Sequence, residues 1–196
     1  MKRVLALSGL ALAALLCLGA LPAEARKAPK LSFPALVNCA KKADSTSFRI
    51  NETVTHEPAL PGTSLCFSFE VAAPKNPTGP CGKAKTLERV QFWASYENRK
   101  KITQVYIRAY PDGKIDQRKV FGAWIASGDH YVFSKLGWTA DYVRDANPKL
   151  CISLEEGTSL DDLFLGAPGQ ATLALYSADG GQKCCPLYSV PLPADA

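Results

Sequence analysis

The sequence is poor in the residues that most enzyme sites need. It has only two histidines, His56 and His130, and a single methionine in 196 residues. Neither histidine stands in a metal-binding spacing such as His-Glu-x-x-His, and the chain has no Gly-x-Ser-x-Gly turn, phosphate-binding glycine loop or dinucleotide fingerprint. We therefore predict a protein that is not an enzyme and that uses no metal ion or organic cofactor.

Long apolar runs are absent beyond the N-terminus. Lys2 and Arg3 precede the apolar residues 4–20, and Ala23-Glu24-Ala25 then supplies the small-x-small pattern of a signal-peptidase site. The apolar stretch is too short, and its flanks too signal-like, for a membrane span. We predict that residues 1–25 are a signal peptide and that the chain is secreted, with no membrane attachment after cleavage.

Neither basic nor acidic residues are in large excess. Removal of residues 1–25 leaves a mature chain of 171 residues, 26–196, which suits one domain. The full chain has 23 basic and 18 acidic residues, and the leader takes two basic and one acidic residue, which leaves a net charge of +4. This balance permits contact with acidic polymers but is too low for a typical nucleic-acid-binding domain.

The sequence does have cysteine, in an even set behind the leader. The mature chain contains six: Cys39, Cys66, Cys81, Cys151, Cys184 and Cys185. An even set in an exported protein predicts a disulfide framework rather than catalytic thiols. Because neighbouring side chains on a strand point to opposite faces, we expect Cys184 and Cys185 to bridge to different partners. Six cysteines allow fifteen connectivities, and the sequence does not choose among them.

Alternation of apolar and polar residues indicates strands. In residues 64–71, Leu65, Phe67 and Phe69 share one face and Ser64, Cys66 and Ser68 share the other. Alternation, or enrichment in β-branched and aromatic residues, also marks residues 90–93, 104–109, 120–125, 150–154 and 173–176. Short strands between turn sequences are typical of a sandwich. The fold class predicted is mainly β: an antiparallel β-sandwich-like domain with one short helix, stabilised by disulfides.

The acidic residues within 155–162 mark the predicted helix. They lack the alternating oxygen ligands of calcium loops. We interpret Asp161 and Asp162 as the first turn of a short helix capped by Thr158 or Ser159, rather than as part of a glycosidase carboxyl pair.

Two basic groups are candidates for contact with polyanions. Arg99, Lys100 and Lys101 lie in a predicted hairpin turn, and a second group comprises the basic residues of 26–30 together with Lys41 and Lys42. Either could hold the sulfate or uronate groups of an extracellular polysaccharide through charge-assisted contacts. The alternative is ordinary solvated surface charge.

Asn51 is the candidate glycosylation site. Asn51-Glu52-Thr53 is a usable sequon, whereas Asn76-Pro77-Thr78 is blocked by its proline. The three tryptophans could form a sugar-stacking platform, but in a β protein we predict that they belong to the core.

The cysteine contexts, taken in order, resemble a pherophorin domain. The matching segments span residues 33–190 and are Phe33-Pro34, Asn38-Cys39, Ser47-Phe48-Arg49-Ile50, Leu65-Cys66-Phe67, Leu87-Glu88-Arg89-Val90, Leu150-Cys151-Ile152-Ser153-Leu154, Ala174-Leu175-Tyr176 and Cys184-Cys185-Pro186. The hydroxyproline-rich rod that commonly joins two such domains is missing, so the resemblance indicates a short, single-domain member.

The resemblance implies a place and a role for the protein. Pherophorins are extracellular-matrix glycoproteins of volvocine green algae, so it implies a secreted domain of the matrix or cell wall that binds matrix glycoproteins or acidic polysaccharide without catalysis. The alternative is a diffusible secreted signal, or a stress- or sexual-induction factor, recognised at the cell surface.

Overall fold

Two antiparallel sheets are formed by the alternating segments. The structure, a computed structural model, describes residues 33–34, 38–58, 63–125, 128–177 and 183–193. The predicted signal peptide lies outside these residues. The first sheet has the spatial order β1 (Phe48–Pro58), β2 (Thr63–Val71), β9 (Lys149–Leu154), β4 (Ile102–Ala109) and β5 (Asp116–Lys119). The second has the order β11 (Leu187–Pro191), β10 (Gln170–Ser177), β3 (Thr86–Trp93), β7 (His130–Phe133) and β6 (Ala123–Trp124), with β8 (Trp138–Thr139) also paired to β3.

The core lies between the two sheets. Phe67 of β2 and Phe92 of β3 are both fully buried, and their ring centroids are 4.9 Å apart in an edge-to-face arrangement. Phe164 and Phe133 extend the same aromatic group, at 6.1 Å and 5.9 Å from Phe92. The predicted inner face of β2 is therefore confirmed, and the mainly β sandwich with it.

The outer face of the second sheet is also covered. Ala174 and Tyr176 on β10 form a buried cluster with Cys185. Phe33 and Cys39, which belong to the segment before β1 (the N-terminal segment), pack over this cluster. Phe33 stacks on Trp93, with ring centroids 5.7 Å apart. This segment forms a third layer over part of the sandwich.

The predicted short helix is confirmed as α2 (Leu160–Leu163), and Ser159 caps it by accepting a hydrogen bond from the Asp162 amide. A further helix, α1 (Ala140–Ala146), was not predicted. Thr139 caps α1 by accepting from the Tyr142 amide, and its last turn is followed by Asn147 in the left-handed conformation. A helical pattern of apolar residues is hard to recognise in seven residues, so the capping residue Thr139 is the main sign of α1 in the sequence.

The predicted strand at residues 120–125 is much shorter in the structure. Only Ala123–Trp124 pairs as β6, because the chain crosses here from the first sheet to the second. Gly122 passes so close to β7 that a Cβ there would lie 2.3 Å from the Tyr131 ring. The chain can change sheets at this point only with glycine at position 122. Strand pairing is interrupted there, which shortens β6.

Among the described residues, no helix has the length and apolar character needed to cross a membrane.

Candidate functional site

The six cysteines of the described residues are all paired, and two of the three disulfides shape one region of the surface. Cys185 bonds Cys39 and Cys184 bonds Cys81, with Cα atoms 5.7 Å and 5.5 Å apart. The adjacent cysteines thus bridge to different partners, as predicted, although they lie just before β11 and not within a strand. Together they fasten the N-terminal segment and the loop before β3 to one point of the chain.

Backbone hydrogen bonds complete this fastening. The Ala40 amide donates to Lys183 O at 2.8 Å, and the Cys185 amide donates to Ala40 O at 3.1 Å. The Lys75 amide donates to Asp44 O at 2.9 Å, which ties the loop directly to the N-terminal segment. The two segments face each other across a fixed gap.

This gap is an open pocket of about 700 Å³, which we call the lysine pocket. It is lined by Cys39, Ala40, Lys41, Lys42, Asp44, Ser45, Lys75, Asn76, Gly79, Pro80, Cys81 and Gly82. Lys41, Lys42 and Lys75 are exposed, and Asp44 is the acidic residue among the lining. No ion pair joins these lysines to an acid within the described part of the chain, so the pocket has an excess of positive charge.

The loop wall of the lysine pocket is held in one shape by Asn76. Its carboxamide oxygen accepts from the Gly79 amide at 3.0 Å and from the Thr78 hydroxyl at 3.1 Å. A Cβ at Gly82 would lie only 2.0 Å from the Asn76 carbonyl oxygen, so the chain can close this tightly only with glycine at that position. The wall is rigid before any ligand arrives.

A buried hydroxyl also borders the lysine pocket. The Ser45 Oγ is excluded from solvent and has no hydrogen-bond partner among the described residues. Buried polar atoms are nearly always paired in folded proteins. The accessible chemistry of the pocket is therefore cationic at its exposed side chains, with a surface of proline, glycine and disulfide between them, and the Ser45 hydroxyl lies buried behind that surface.

The predicted basic cluster lies elsewhere and is arranged differently. Arg99, Lys100 and Lys101 do not form a hairpin turn, because the strands on either side, β3 and β4, belong to different sheets. They lie in a 3-10 helix, Glu97–Lys101, that connects the sheets. Sequence spacing alone could not distinguish a hairpin from this crossover.

Two of the three predicted cations in that helix already have partners. Lys101 Nζ lies 2.7 Å from Glu155 Oε2, and the Arg99 guanidinium stacks over the Tyr96 ring at 4.1 Å from its centroid. Lys100 is exposed and takes part in no ion pair among the described residues. The cluster and the loop of the lysine pocket lie at opposite ends of the eight-residue β3, roughly 23 Å apart along the strand.

Lys41 and Lys42 belong to the second predicted basic group, but Lys75 does not. Residues 26–30, the other members of that basic group, lie outside the described residues. The juxtaposition depends on the register of β1 with β2, which places Val71 opposite Phe48, and on the Lys75–Asp44 backbone hydrogen bond, so it cannot be read from the residues around Lys75 alone.

The predicted sequon lies on an irregular part of β1. Asn51 follows Ile50, where the pairing with β2 shifts register, and the Asn51 carboxamide oxygen accepts from the Thr53 amide at 2.8 Å. Glu52 and Thr53 are exposed. Occupancy of Asn51 by a glycan stays a prediction.

The tryptophans do not form one platform. Trp138 is buried in the core, whereas Trp93 and Trp124 are half-buried and stack against Phe33 and Tyr131 respectively. The prediction that the tryptophans belong to the core is confirmed for Trp138, whereas Trp124 packs against the core from its edge and Trp93 packs on Phe33 outside it.

A group with metal-ligand residue types occurs on the outer face of the first sheet. Glu57, Cys66 and Cys151 have ligand atoms within 4.8 Å of one another. However, Cys66 and Cys151 are bonded to each other, and the Glu57 carboxylate contacts Arg108 and Lys149. The sulfurs carry no thiolate and the carboxylate is already neutralised, so the group is a structural ion cluster over a disulfide.

Neither histidine is placed for nucleophilic catalysis. His130 is fully buried in contact with Gln91, and burial lowers its pKa although Asp129 opposes the shift. His56 is exposed on β1. Since the six cysteines of the described chain are all bridged, no Cys/His pair exists there.

Comparison with known proteins gives the same relationship as the cysteine contexts. A family model described as Pherophorin matches residues 33–186. Perphorin-1 of Volvox carteri is 30% identical over 162 residues, which cover 79% of this chain and 31% of that protein. Perphorin-2 of Volvox carteri is 23% identical over 128 residues, which cover 64% of this chain and 25% of that protein.

The chain spans about a third or less of the length of these two relatives. The family match nevertheless covers the six mature cysteines and both walls of the lysine pocket. With most of the chain matched in this way, the protein belongs to the pherophorin family.

Proposed function

We propose that this protein is a non-catalytic domain of the extracellular matrix or cell wall, which binds acidic polysaccharide, free or on matrix glycoproteins, through the lysine pocket. Pherophorins are extracellular-matrix glycoproteins, which supports the location. The observation that carries the binding role is the pocket itself, with three exposed lysines against one aspartate in its lining.

The chemistry of the lysine pocket suits an acidic sugar. A volume of about 700 Å³ falls within the roughly 300–1,000 Å³ usual for small-ligand sites. Ammonium groups bind sulfate and carboxylate as compact point charges that adapt to several geometries. The proline and disulfide surface between the lysines can accept the apolar face of a sugar ring, while the exposed Asn76 offers a polar contact.

Preorganisation strengthens the proposal. The disulfides and the Asn76 turn hold both walls in place, so a ligand need not order a loose loop in order to bind. Affinity in such a site comes from several weak ionic contacts and should therefore fall with ionic strength.

Binding to defined polysaccharides tests the proposal. We would measure the affinity of the secreted protein for polygalacturonate, for dextran sulfate and for neutral dextran at several salt concentrations. The triple variant Lys41→Gln/Lys42→Gln/Lys75→Gln should lose about tenfold or more in affinity, which corresponds to about 1.4 kcal/mol. Its salt dependence should also be flatter than that of the unchanged protein.

A second triple variant serves as the matched control. Arg99→Gln/Lys100→Gln/Lys101→Gln removes the same charge from a surface where two cations are already engaged. We expect this variant to lose much less affinity. Equal losses in both variants would reduce the binding to net charge, and unchanged affinity in the pocket variant would overturn the proposal.

Fractionation of a green-algal culture tests the location. The tagged protein should be recovered from the salt-extractable wall, and the pocket variant should shift toward the medium. Recovery of the unchanged protein in the medium alone would favour the diffusible-factor alternative.

A further inference from the structure

An exposed sheet edge stands out on the side of the sandwich formed by β5. All four residues of β5 are exposed, and the strand is bordered by Ile115, which is 70% exposed, and Phe121, which is 87% exposed. Among the described residues, the large hydrophobic side chains classed as exposed are these two and Tyr96. Ile115 precedes the strand and Phe121 follows it, so a partner strand laid along β5 would contact both.

The free edge of β5 also carries unpaired backbone groups. The Val120 amide donates to Val105 O on β4, so the backbone groups of residues 116, 118 and 120 point toward β4. By alternation, the N–H and C=O groups of Gln117 and Lys119 point away from the sheet. No strand pairs with β5 on that side within the described chain.

Charged residues often protect such an edge from pairing. The order of charges on β5 argues against that role here, because Asp116 and Arg118 have opposite signs and are two residues apart. Neither side chain forms an ion pair within the described residues. An antiparallel copy of the same strand would place each of them opposite the other.

We propose that β5 is a self-association edge, at which two copies of this chain pair antiparallel about a twofold axis through Gln117. In this register Asp116 of each copy lies opposite Arg118 of the second copy, at positions where facing side chains are closest. The outward backbone groups of Gln117 bond those of Gln117 in the second copy. The two first sheets become one continuous sheet.

The apolar neighbours fit the same register. Ile115 lies opposite Lys119 of the second copy, and Phe121 of that copy is its diagonal neighbour on the same side of the sheet, within reach of an aromatic ring. Each copy therefore covers part of the apolar side chains that the other exposes. The contact is isologous and closes after two copies, so it does not propagate.

The other twofold registers whose axis passes through a residue of β5 are opposed by charge. A twofold axis through Arg118 places Arg118 opposite Arg118, and an axis through Lys119 places Lys119 opposite Lys119. An axis through Asp116 places Asp116 opposite Asp116. Like charges directly opposite each other destabilise a strand pair, so the Asp116–Arg118 register is selected.

Charge exchange gives a decisive test. We would measure sedimentation equilibrium of the purified secreted protein over a wide range of concentration, together with Asp116→Arg and Arg118→Asp. The unchanged protein should show a monomer–dimer equilibrium, and each variant alone should be monomeric. An equimolar mixture of the two variants should dimerise, because each then faces an opposite charge.

Matched substitutions control for net charge and folding. Glu156→Arg and Lys100→Asp make the same charge changes at exposed positions outside this edge and should dimerise normally. Phe121→Ser should weaken the dimer about tenfold. A monomeric unchanged protein, a dimer insensitive to the two charge variants, or a mixture that stays monomeric would each overturn the proposal.

Discussion

The interior of the sandwich and the lysine pocket are held together by different forces. The interior buries large side chains such as Phe67, Phe92 and Trp138 between the two sheets. The lysine pocket contains no large apolar residue, and two disulfides with a few backbone bonds fix its walls. Burying an ammonium group without a partner costs free energy, so a cationic site gains little stability from the burial of its own side chains. Covalent bonds fix the shape of the pocket while leaving its lysines in water.

A core truncation should break this comparison most strongly. Phe92→Ala removes a fully buried ring that contacts Phe67, Phe133 and Phe164, and should lower the free energy of unfolding by about 3–5 kcal/mol. Phe121→Ala, at a ring that is 87% exposed, should change it by less than about 0.5 kcal/mol. Denaturant unfolding of dilute samples measures both. Similar losses would mean that the core does not dominate stability.

Removing single disulfides should separate the two regions. Cys81→Ser/Cys184→Ser opens a bridge that spans 103 residues of sequence, and Cys66→Ser/Cys151→Ser opens one that spans 85 within the first sheet. Both should lower the free energy of unfolding by about 2–4 kcal/mol. Only the first should speed tryptic cleavage after Lys75 or Lys83 and weaken polysaccharide binding. Equal cleavage in both variants would show that the loop does not depend on its own bridge.

Period-two patterns allowed the sandwich to be predicted but not its topology. The strands β2, β4, β9 and β10 follow directly from alternation, since each needs only local contrast between its faces. The strand predicted at residues 120–125 was too long because Gly122 and the change of sheet are set by the distant Tyr131 ring. The hairpin predicted around Arg99–Lys101 was wrong for a related reason, since partner strands are chosen by tertiary contacts.

The candidate site also has one part that the sequence predicts and another that depends on tertiary contacts. That all six cysteines form disulfides could be predicted from the expected export of the chain and from their even number. The lysine pocket could be predicted only by knowing which residues pair. Lys75 lies 33 residues from Lys42 in sequence. The pairing of β1 with β2 places Val71 opposite Phe48 and the Lys75 amide beside Asp44 O, while the bonds of Cys81 and Cys39 to adjacent cysteines hold the rest of the pocket. A local motif carries no information of that kind.

Tyr188 connects the sandwich interior with the lysine pocket, and its ionisation makes the stability of the fold depend on pH. Its hydroxyl lies 2.8 Å from Ala43 O and 2.9 Å from Phe48 O, next to the lysine pocket, and burial raises its pKa from 10.0 to about 12 although Arg49 opposes the shift. Between these values the unfolded chain ionises while the folded one stays protonated. The unfolded state then binds fewer protons, so stability is full below pH 10 and falls as the pH rises toward 12.

The variant Tyr188→Phe tests this linkage. It should be about 1 kcal/mol less stable than the unchanged protein at pH 8, because it lacks the buried hydrogen bond. The gap should shrink between pH 10 and 12, since phenylalanine has no proton to lose. Burial also raises the pKa of Tyr131, Tyr142 and Tyr176, so both proteins lose stability and the difference between them is the readout. A constant gap would show that Tyr188 does not titrate with unfolding.

The smallest effect is expected at the predicted basic cluster. Lys101 and Glu155 pair at 2.7 Å, but their side chains are 44% and 55% exposed, so solvent and salt screen the attraction. Lys101→Ala should therefore lower the free energy of unfolding by only a few tenths of a kcal/mol, and Lys100→Ala should leave it unchanged. The semi-buried Glu57 cluster, with side chains 11–18% exposed, should respond more strongly to Glu57→Gln, because Arg108 and Lys149 would lose their neutralising carboxylate. If Lys101→Ala had the larger effect, burial would not be what separates a structural charge from a surface charge in this fold.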